Sequence, residues 1–248
     1  MPGLFFQQRL VINQHCEHSL NTSTVLLFAA QQLNVDEFDL PALLSPFELA
    51  VITRRKSHKA KQEYLATRLL LKYLVKQSSS QFRHIPENQI SSEFDEQSSK
   101  LLIHIIGSET VFSSCLSHSN GFVGAALNLE RAEFGFDIEK ISLQRPFVKL
   151  AKHFYHPDEV NLITQQQELA AERFFRIWTL KEALAKATSR PIAKLLSPNV
   201  FNELEQTDLA AQSCQYGEFD ISVISEQSTD WQCSVVNSIS QLRGVLNF

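Results

Sequence analysis

Trp178-Thr179-Leu180-Lys181-Glu182-Ala183-Leu184-Ala185-Lys186 decides how this chain is read. The stretch reads as helix, and Glu182 and Lys186 stand four apart, so they share a face. Taken alone, that spacing describes a surface ion pair worth roughly 0.3–0.5 kcal/mol. Trp178 lies one turn earlier on the same face, where it would pack and fix the Glu182 carboxylate. Upstream, Phe134-Gly135-Phe136-Asp137-Ile138-Glu139 reads as strand. Residues i and i+2 of a strand point the same way, so Asp137 and Glu139 face one site while Ile138 faces the core. Two such acids repel and raise each other's pKa unless a cation relieves them. Together the segments offer three carboxylates and, on the Glu182 face, one lysine, Lys186. That set can hold a divalent cation against a phosphate and neutralise charge that moves when a phosphate ester is exchanged.

Working outward, residues 24–30 read as a buried strand. Ser45-Pro46-Phe47-Glu48 opens a helix: Ser45 caps, Pro46 suits the first turn and Glu48 completes a capping box. That helix is expected to run to about Lys76 with a break near Ser57. It carries Arg54, Arg55, Lys56, Lys59, Lys61, Arg68, Lys72 and Lys76 against only Glu48 and Glu63. A run of that kind is either a solvated face or a docking surface for an anion. Residues 77–99 read as a long connection with a short strand near Ile90, and Leu101–Ile106 as strand. Gly121–Leu129 and Glu133–Ile138 read as a strand pair joined near Glu130-Arg131. Helices dominate from Arg145 to Thr188, Pro157 suiting one first turn, and strand pattern returns at 216–224 and 231–237. The order describes an α+β fold in two halves, divided near residue 115.

The chain has 248 residues, 44% hydrophobic and 20% charged, with 18 Phe and only 7 Gly. These are ordinary globular values, and no repeat of fixed period is visible. A net charge of −4 and a pI near 6.1 argue against a dedicated nucleic-acid binder. Cys16, Cys115, Cys214 and Cys233 are scattered, without zinc-finger spacing, and read as reduced thiols of a cytoplasmic protein. The apolar run Val25–Ala30 is too short for a signal core or a membrane span, so no membrane partner is expected.

A third segment, Cys115-Leu116-Ser117-His118-Ser119-Asn120-Gly121, precedes a strand. Its His118 and neighbouring N–H groups could take a phosphate oxygen, or the segment could be a polar approach to an Asn-Gly turn. In order and spacing, three motifs resemble those of the 4'-phosphopantetheinyl transferases of the long, two-halved class typified by surfactin synthetase activation. They are Ser117-His118-Ser119-Asn120-Gly121, Gly135-Phe136-Asp137-Ile138-Glu139 and Trp178 through Lys186. Tyr64 through Leu70, with Arg68, resembles that class's R-x-L-L segment.

The resemblance implies two pseudo-symmetric halves, each a small, mostly antiparallel sheet packed with a long helix. Residues 1–115 would be the coenzyme A side; residues 116–248 would hold the metal site and the carrier-protein side. The implied reaction moves 4'-phosphopantetheine from coenzyme A to a serine of an acyl or peptidyl carrier protein, with Mg2+, releasing 3',5'-ADP. Asp137, Glu139 and Glu182 would hold the metal, with Asp137, Glu182 and Lys186 catalytic and Lys186 on the phosphates. Ser117 and His118 would contact coenzyme A. The family often places a base in the first two turns of the N-terminal helix; Glu48 and Val51 stand there, so Arg54, Arg55 or Lys59 are expected to substitute, with Arg68 beside them. A monomer is expected. A non-catalytic homologue that binds coenzyme A or a carrier protein, and a Mg2+-dependent nucleotide pyrophosphatase, stay open as alternatives.

Overall fold

The computed structural model describes residues 9–13, 23–129, 133–226 and 229–248. In chain order the main elements are β1 (Val11–Asn13), β2 (Ser23–Ala29), α1 (Leu40–Leu43), α2 (Pro46–Arg54), α3 (His58–Ser78), β3 (Ile90–Asp95), β4 (Lys100–Ile105), β5 (Val111–Ser119), β6 (Phe122–Asn128) and β7 (Phe134–Lys140). They continue with α4 (Phe147–Phe154), α5 (Pro157–Thr164), α6 (Ala170–Ala187), α7 (Val200–Glu205), β8 (Leu209–Tyr216), β9 (Phe219–Glu226), β10 (Trp231–Val236) and α8 (Ile239–Arg243). The architecture is α+β, as expected.

Contacts divide the chain into two compact units. One, the basic-helix unit, comprises Ile12–Ala132 and Asp230–Phe248; the other, the motif unit, comprises Met1–Val11 and Glu133–Thr229. Residues 116–132 thus group with the elements before them, because β5 and β6 are one hairpin and β6 pairs β2 along its whole length. Asn120 (φ 51°) and Gly121 (φ 81°) supply the two left-handed residues of that hairpin turn.

The basic-helix unit is built on a seven-stranded sheet in the order β1-β10-β2-β6-β5-β4-β3. β10 runs parallel to β2, and the strands from β2 to β3 are antiparallel neighbours. α3 buries Leu65, Leu69, Leu70 and Leu74 with Leu26, Phe28, Val123 and Ala125 of the sheet. The Ser45 capping box is formed as expected: the Ser45 hydroxyl accepts from Glu48 N at 3.2 Å, and Glu48 accepts from Ser45 N at 3.1 Å. The helix breaks at Arg55–Ser57 and restarts with Ser57 as its cap.

Two lysines of the basic run are not on the surface. Lys72 and Lys76 are 1% and 0% exposed and pair with Glu48 and Glu87. Only the first part of that run can meet an anion.

The motif unit carries a three-stranded antiparallel sheet, β7-β9-β8. α6 lies across it, burying Phe174, Phe175, Ile177, Leu180 and Leu184 among Ala151, Tyr155, Ile163 and Ile224. The expected pairing of residues 121–129 with 133–138 does not occur. β6 sits between β2 and β5, whereas β7 pairs β9 in the other sheet. Cys16 and the expected turn near Glu130-Arg131 lie outside the described residues.

Both units repeat one polar device. In each, a residue–Pro–residue–Glu start caps a helix, and the buried Glu pairs with a buried Lys of the long helix that follows. In the basic-helix unit Glu48 accepts from Ser45 N and from Lys72 Nζ at 2.7 Å, and its other oxygen accepts from Ser92 N at 3.0 Å. In the motif unit Glu159 accepts from His156 N at 3.1 Å and lies 3.0 Å from Lys181 Nζ, while its other oxygen accepts from Val200 N at 2.8 Å. Each lysine also donates to two backbone carbonyls, Glu87 and Ile90 for Lys72, Leu195 and Pro198 for Lys181.

Candidate functional site

Strand β7 and helix α6 bring part of the acidic set together within the motif unit. Gly135 is the contact point. A Cβ at this position would lie 1.9 Å from the Ala183 carbonyl oxygen and 2.6 Å from Ala187 N, so only glycine lets strand and helix backbones approach so closely. That approach places Lys186 Nζ 2.7 Å from Asp137 Oδ1 and 3.0 Å from the Phe136 carbonyl. Asp137 is buried, and Lys186 keeps 30% of its side chain exposed.

Glu182 lies in the same electrostatic neighbourhood. Burial pushes its carboxyl above the usual range, the Asp137 charge pushes the same way, and Lys186 opposes both; Glu139 adds a smaller push. Glu139 itself lies 3.3 Å from Arg145 Nη1. Among the described residues, no group of three His, Cys, Asp or Glu side chains stands arranged to hold a metal ion. The donor chemistry nonetheless suits a hard divalent cation: three carboxylates repel one another, and the positive charge that relieves them comes from Lys186 and Arg145.

Trp178 does pack, against Phe174 at 6.4 Å between ring centroids. The Arg145 guanidinium lies over the Trp178 ring, 5.3 Å from its centroid. Trp178 is therefore connected to the acids through Arg145 and Glu139, whereas the sequence suggested a platform for Glu182. Thr179 ties α6 to β9, donating to Asp220 Oδ1 at 2.8 Å, while Arg176 grips both Asp220 oxygens at 2.9 and 3.0 Å.

The expected coenzyme A contacts fall in the basic-helix unit. Ser117 and His118 belong to the body of β5, so alternate faces hold a buried Ser117 and an exposed His118. They are themselves strand residues, and the Asn120-Gly121 turn then leads into β6. Glu63 connects two expected residues: its carboxylate lies 3.8 Å from Lys59 Nζ and 3.7 Å from His118 Nδ1. Tyr64 connects two others: the Arg55 and Arg68 guanidiniums lie 4.7 and 4.1 Å from its ring centroid. Among the described residues the Tyr64 hydroxyl and Arg68 Nε are buried without a hydrogen-bond partner, although Arg68 Nε stands 3.8 Å from the Glu48 carboxylate. Such donors are costly unless an acceptor reaches them. Arg54 is exposed at the end of α2. Glu48 is the buried partner of Lys72, so the first-turn position where a base was sought is occupied by a structural acid.

Arg145, Lys181 and Tyr155 carry contacts that the motif reading did not assign. The signals were thin: an Arg-Pro step before α4, and the His-Pro-Asp-Glu cap that predicts a buried Glu159. The Tyr155 ring stacks on Phe174 at 5.2 Å, and among the described residues its buried hydroxyl has no hydrogen-bond partner. Burial pushes the Tyr155 and Tyr64 phenols above their ordinary value. A folded pKa above the unfolded value of about 10 means stability is lost as pH rises beyond it. In an alkaline titration at 295 nm both phenols are expected to ionise later than an ordinary tyrosine, and Tyr155 only as the fold is lost. Tyr155→Phe should remove one such late event; early ionisation of Tyr155 in the folded protein would contradict its burial.

Comparison with known proteins adds to this geometry. Residues 133–236 match the model of the 4'-phosphopantetheinyl transferase superfamily. The chain is 29% identical over 158 residues to the 4'-phosphopantetheinyl transferase HetI of Nostoc sp., covering 63% of this chain and 64% of that one. It is 33% identical over 131 residues to the 4'-phosphopantetheinyl transferase psf-1 of Bacillus pumilus, covering 52% of each. The matches span less than two thirds of the length of these relatives. No helix among the described residues is long and apolar enough to cross a membrane.

Proposed function

We propose that this chain, a member of the 4'-phosphopantetheinyl transferase superfamily through residues 133–236, transfers 4'-phosphopantetheine from coenzyme A to a serine hydroxyl of an apo acyl or peptidyl carrier protein. The observation that carries the reading is the meeting of β7 and α6, where Lys186 is fixed on Asp137 and Glu182 feels both Asp137 and Glu139. Serine attack on a pyrophosphate is governed by positioning and by neutralising charge on the phosphate oxygens. Asp137, Glu139 and Glu182 would hold Mg2+, which would supply that neutralisation and orient the pyrophosphate. Lys186 would donate to a phosphate oxygen and stabilise the charge left on 3',5'-ADP. Glu182, held high by burial, would take the serine proton once ionised.

In the basic-helix unit, the 3'-phosphate end of coenzyme A would be taken by Arg55 and Arg68 about the Tyr64 ring, with Lys59 and His118 beside Glu63. An accepting phosphate oxygen would give the buried Tyr64 hydroxyl an acceptor, beside an Arg68 guanidinium that also faces Glu48. Ser117 and Arg54 complete the expected set. Acting in the cytoplasm as a monomer is part of the same proposal.

The test mixes the protein with coenzyme A, Mg2+ and a panel of apo carrier proteins and reads the carrier by mass spectrometry. A carrier gaining phosphopantetheine supports the reading, and Glu182→Gln should slow that gain by at least about a hundredfold while the melting curve is retained. No transfer to any carrier type would sink the proposal, and 3',5'-ADP released without a carrier would point to pyrophosphatase chemistry.

A further inference from the structure

Arg145 touches an expected metal ligand, Glu139, without itself having an expected role. It lies at the turn into α4. Its backbone is pinned there: Arg145 N donates to Ser142 O at 3.3 Å, Phe147 N donates to Arg145 O at 2.7 Å, and Pro146 fixes the next φ. Its guanidinium lies 5.3 Å from the Trp178 ring centroid and 5.9 Å from that of Phe175, a cation–π platform on α6. From that platform Nη1 reaches Glu139 Oε1 at 3.3 Å. Arg145 and Glu182 also both act on the Tyr155 phenol, which places them in one neighbourhood.

We infer that Arg145 is a positioning residue that holds Glu139 out of the acidic trio and thereby sets how tightly the trio takes a divalent cation. The inference rests on the metal reading proposed above. Its logic is competition. Glu139 cannot give the same lone pairs to Arg145 and to a metal, and a guanidinium beside the pocket repels an incoming cation. Trp178 then has a role beyond packing: it holds the competitor in place. Asp137 has its own resident cation in Lys186 at 2.7 Å. The two organic cations would keep the crowded acids compact until a metal enters, and a metal that takes Glu139 through Oε1 would exchange the Arg145 contact.

Mn2+ binding to the full chain, followed by the electron paramagnetic resonance of free Mn2+ with no coenzyme A present, tests this without any turnover. Arg145→Met keeps the apolar stem and removes the charge, and its Mn2+ Kd is expected to fall about three- to tenfold. Arg145→Lys, which restores a charge, should return the Kd towards the parent value, a rescue that a purely structural side chain would not give. Trp178→Leu should shift the Kd in the same direction as Arg145→Met, by less. Should Arg145→Met fold poorly, Arg145→Gln gives the same reading. A parent protein that binds Mn2+ beside neutral variants with unchanged or weaker binding would overturn the inference alone. A parent protein that binds no Mn2+ would overturn the metal reading and this inference with it.

Discussion

Gly135→Ala is expected to cost more than about 3 kcal/mol of stability, above the usual range for overpacking. The reason is space, since Gly135 carries no unusual backbone angle. Its missing Cβ would fall 1.9 Å from Ala183 O, 2.6 Å from Ala187 N and 2.9 Å from Ala183 C. All three are backbone atoms, so no rotamer change relieves them; α6 must move off β7 or unwind. Either response separates Lys186 from Asp137 and from the Phe136 carbonyl. The variant should therefore show a lowered denaturant midpoint and, if it still folds, transfer reduced along with it. A Gly135→Ala protein with the parent midpoint would mean that the strand and helix are further apart than described here.

The same residue shows what was legible beforehand. The strand and helix motifs were readable because their spacing is local: i, i+2 on a strand and i, i+4 on a helix. That Gly135 is what lets the two motifs touch is a long-range fact, invisible until Ala183 and Ala187 are placed against it. The Ser45 capping box was legible for the same local reason, and so was the break near Ser57. The pairing of residues 121–129 was not, because a strand's partners are decided by what else reaches its edges. β2 and β5 both reach β6, and β9 takes β7. β8 was missed because Leu-Ala-Ala-Gln-Ser-Cys-Gln-Tyr has a weak alternating pattern. Lys72 and Lys76 read as surface charge because their partners, Glu48 and Glu87, arrive from other elements.

The recurrence of the polar device was hidden more deeply. In sequence it amounts to a residue–Pro–residue–Glu cap and a lysine on the long helix that follows, set on sheets of seven and three strands. The remaining shared contacts are to backbone groups, which leave no sequence signature. The same device explains Lys181, the lysine beside Glu182. It points away from the acidic set, into the interior, where it anchors the base of α5 to the helix that carries Glu182 and Lys186.

Lys181→Met is therefore expected to be among the most destabilising single changes outside the acidic set, at about 3–5 kcal/mol near neutral pH. Three contacts go at once. Glu159 loses its counter-charge, and the Leu195 and Pro198 carbonyls lose their donor. The cost should depend on pH, with a sign that can be worked out. Burial already pushes the Glu159 carboxyl up, and Lys181 is the chief influence opposing it. Without Lys181 the folded pKa rises further above the unfolded value of about 4.3. Between those two values the folded state binds more protons than the unfolded state, so stability falls as pH rises. The deficit relative to the parent should be smallest near pH 5 and grow towards pH 8, read as denaturant midpoints across that range. Adding Glu159→Leu should recover part of the loss at pH 8, because no charge is then left buried. Recovery should stop short of the parent, since His156 N and Val200 N still need the acceptor that Glu159 provided. A Lys181→Met deficit that is flat in pH would show that Glu159 escapes to solvent when unpaired, and that the pair does not hold α5 to α6.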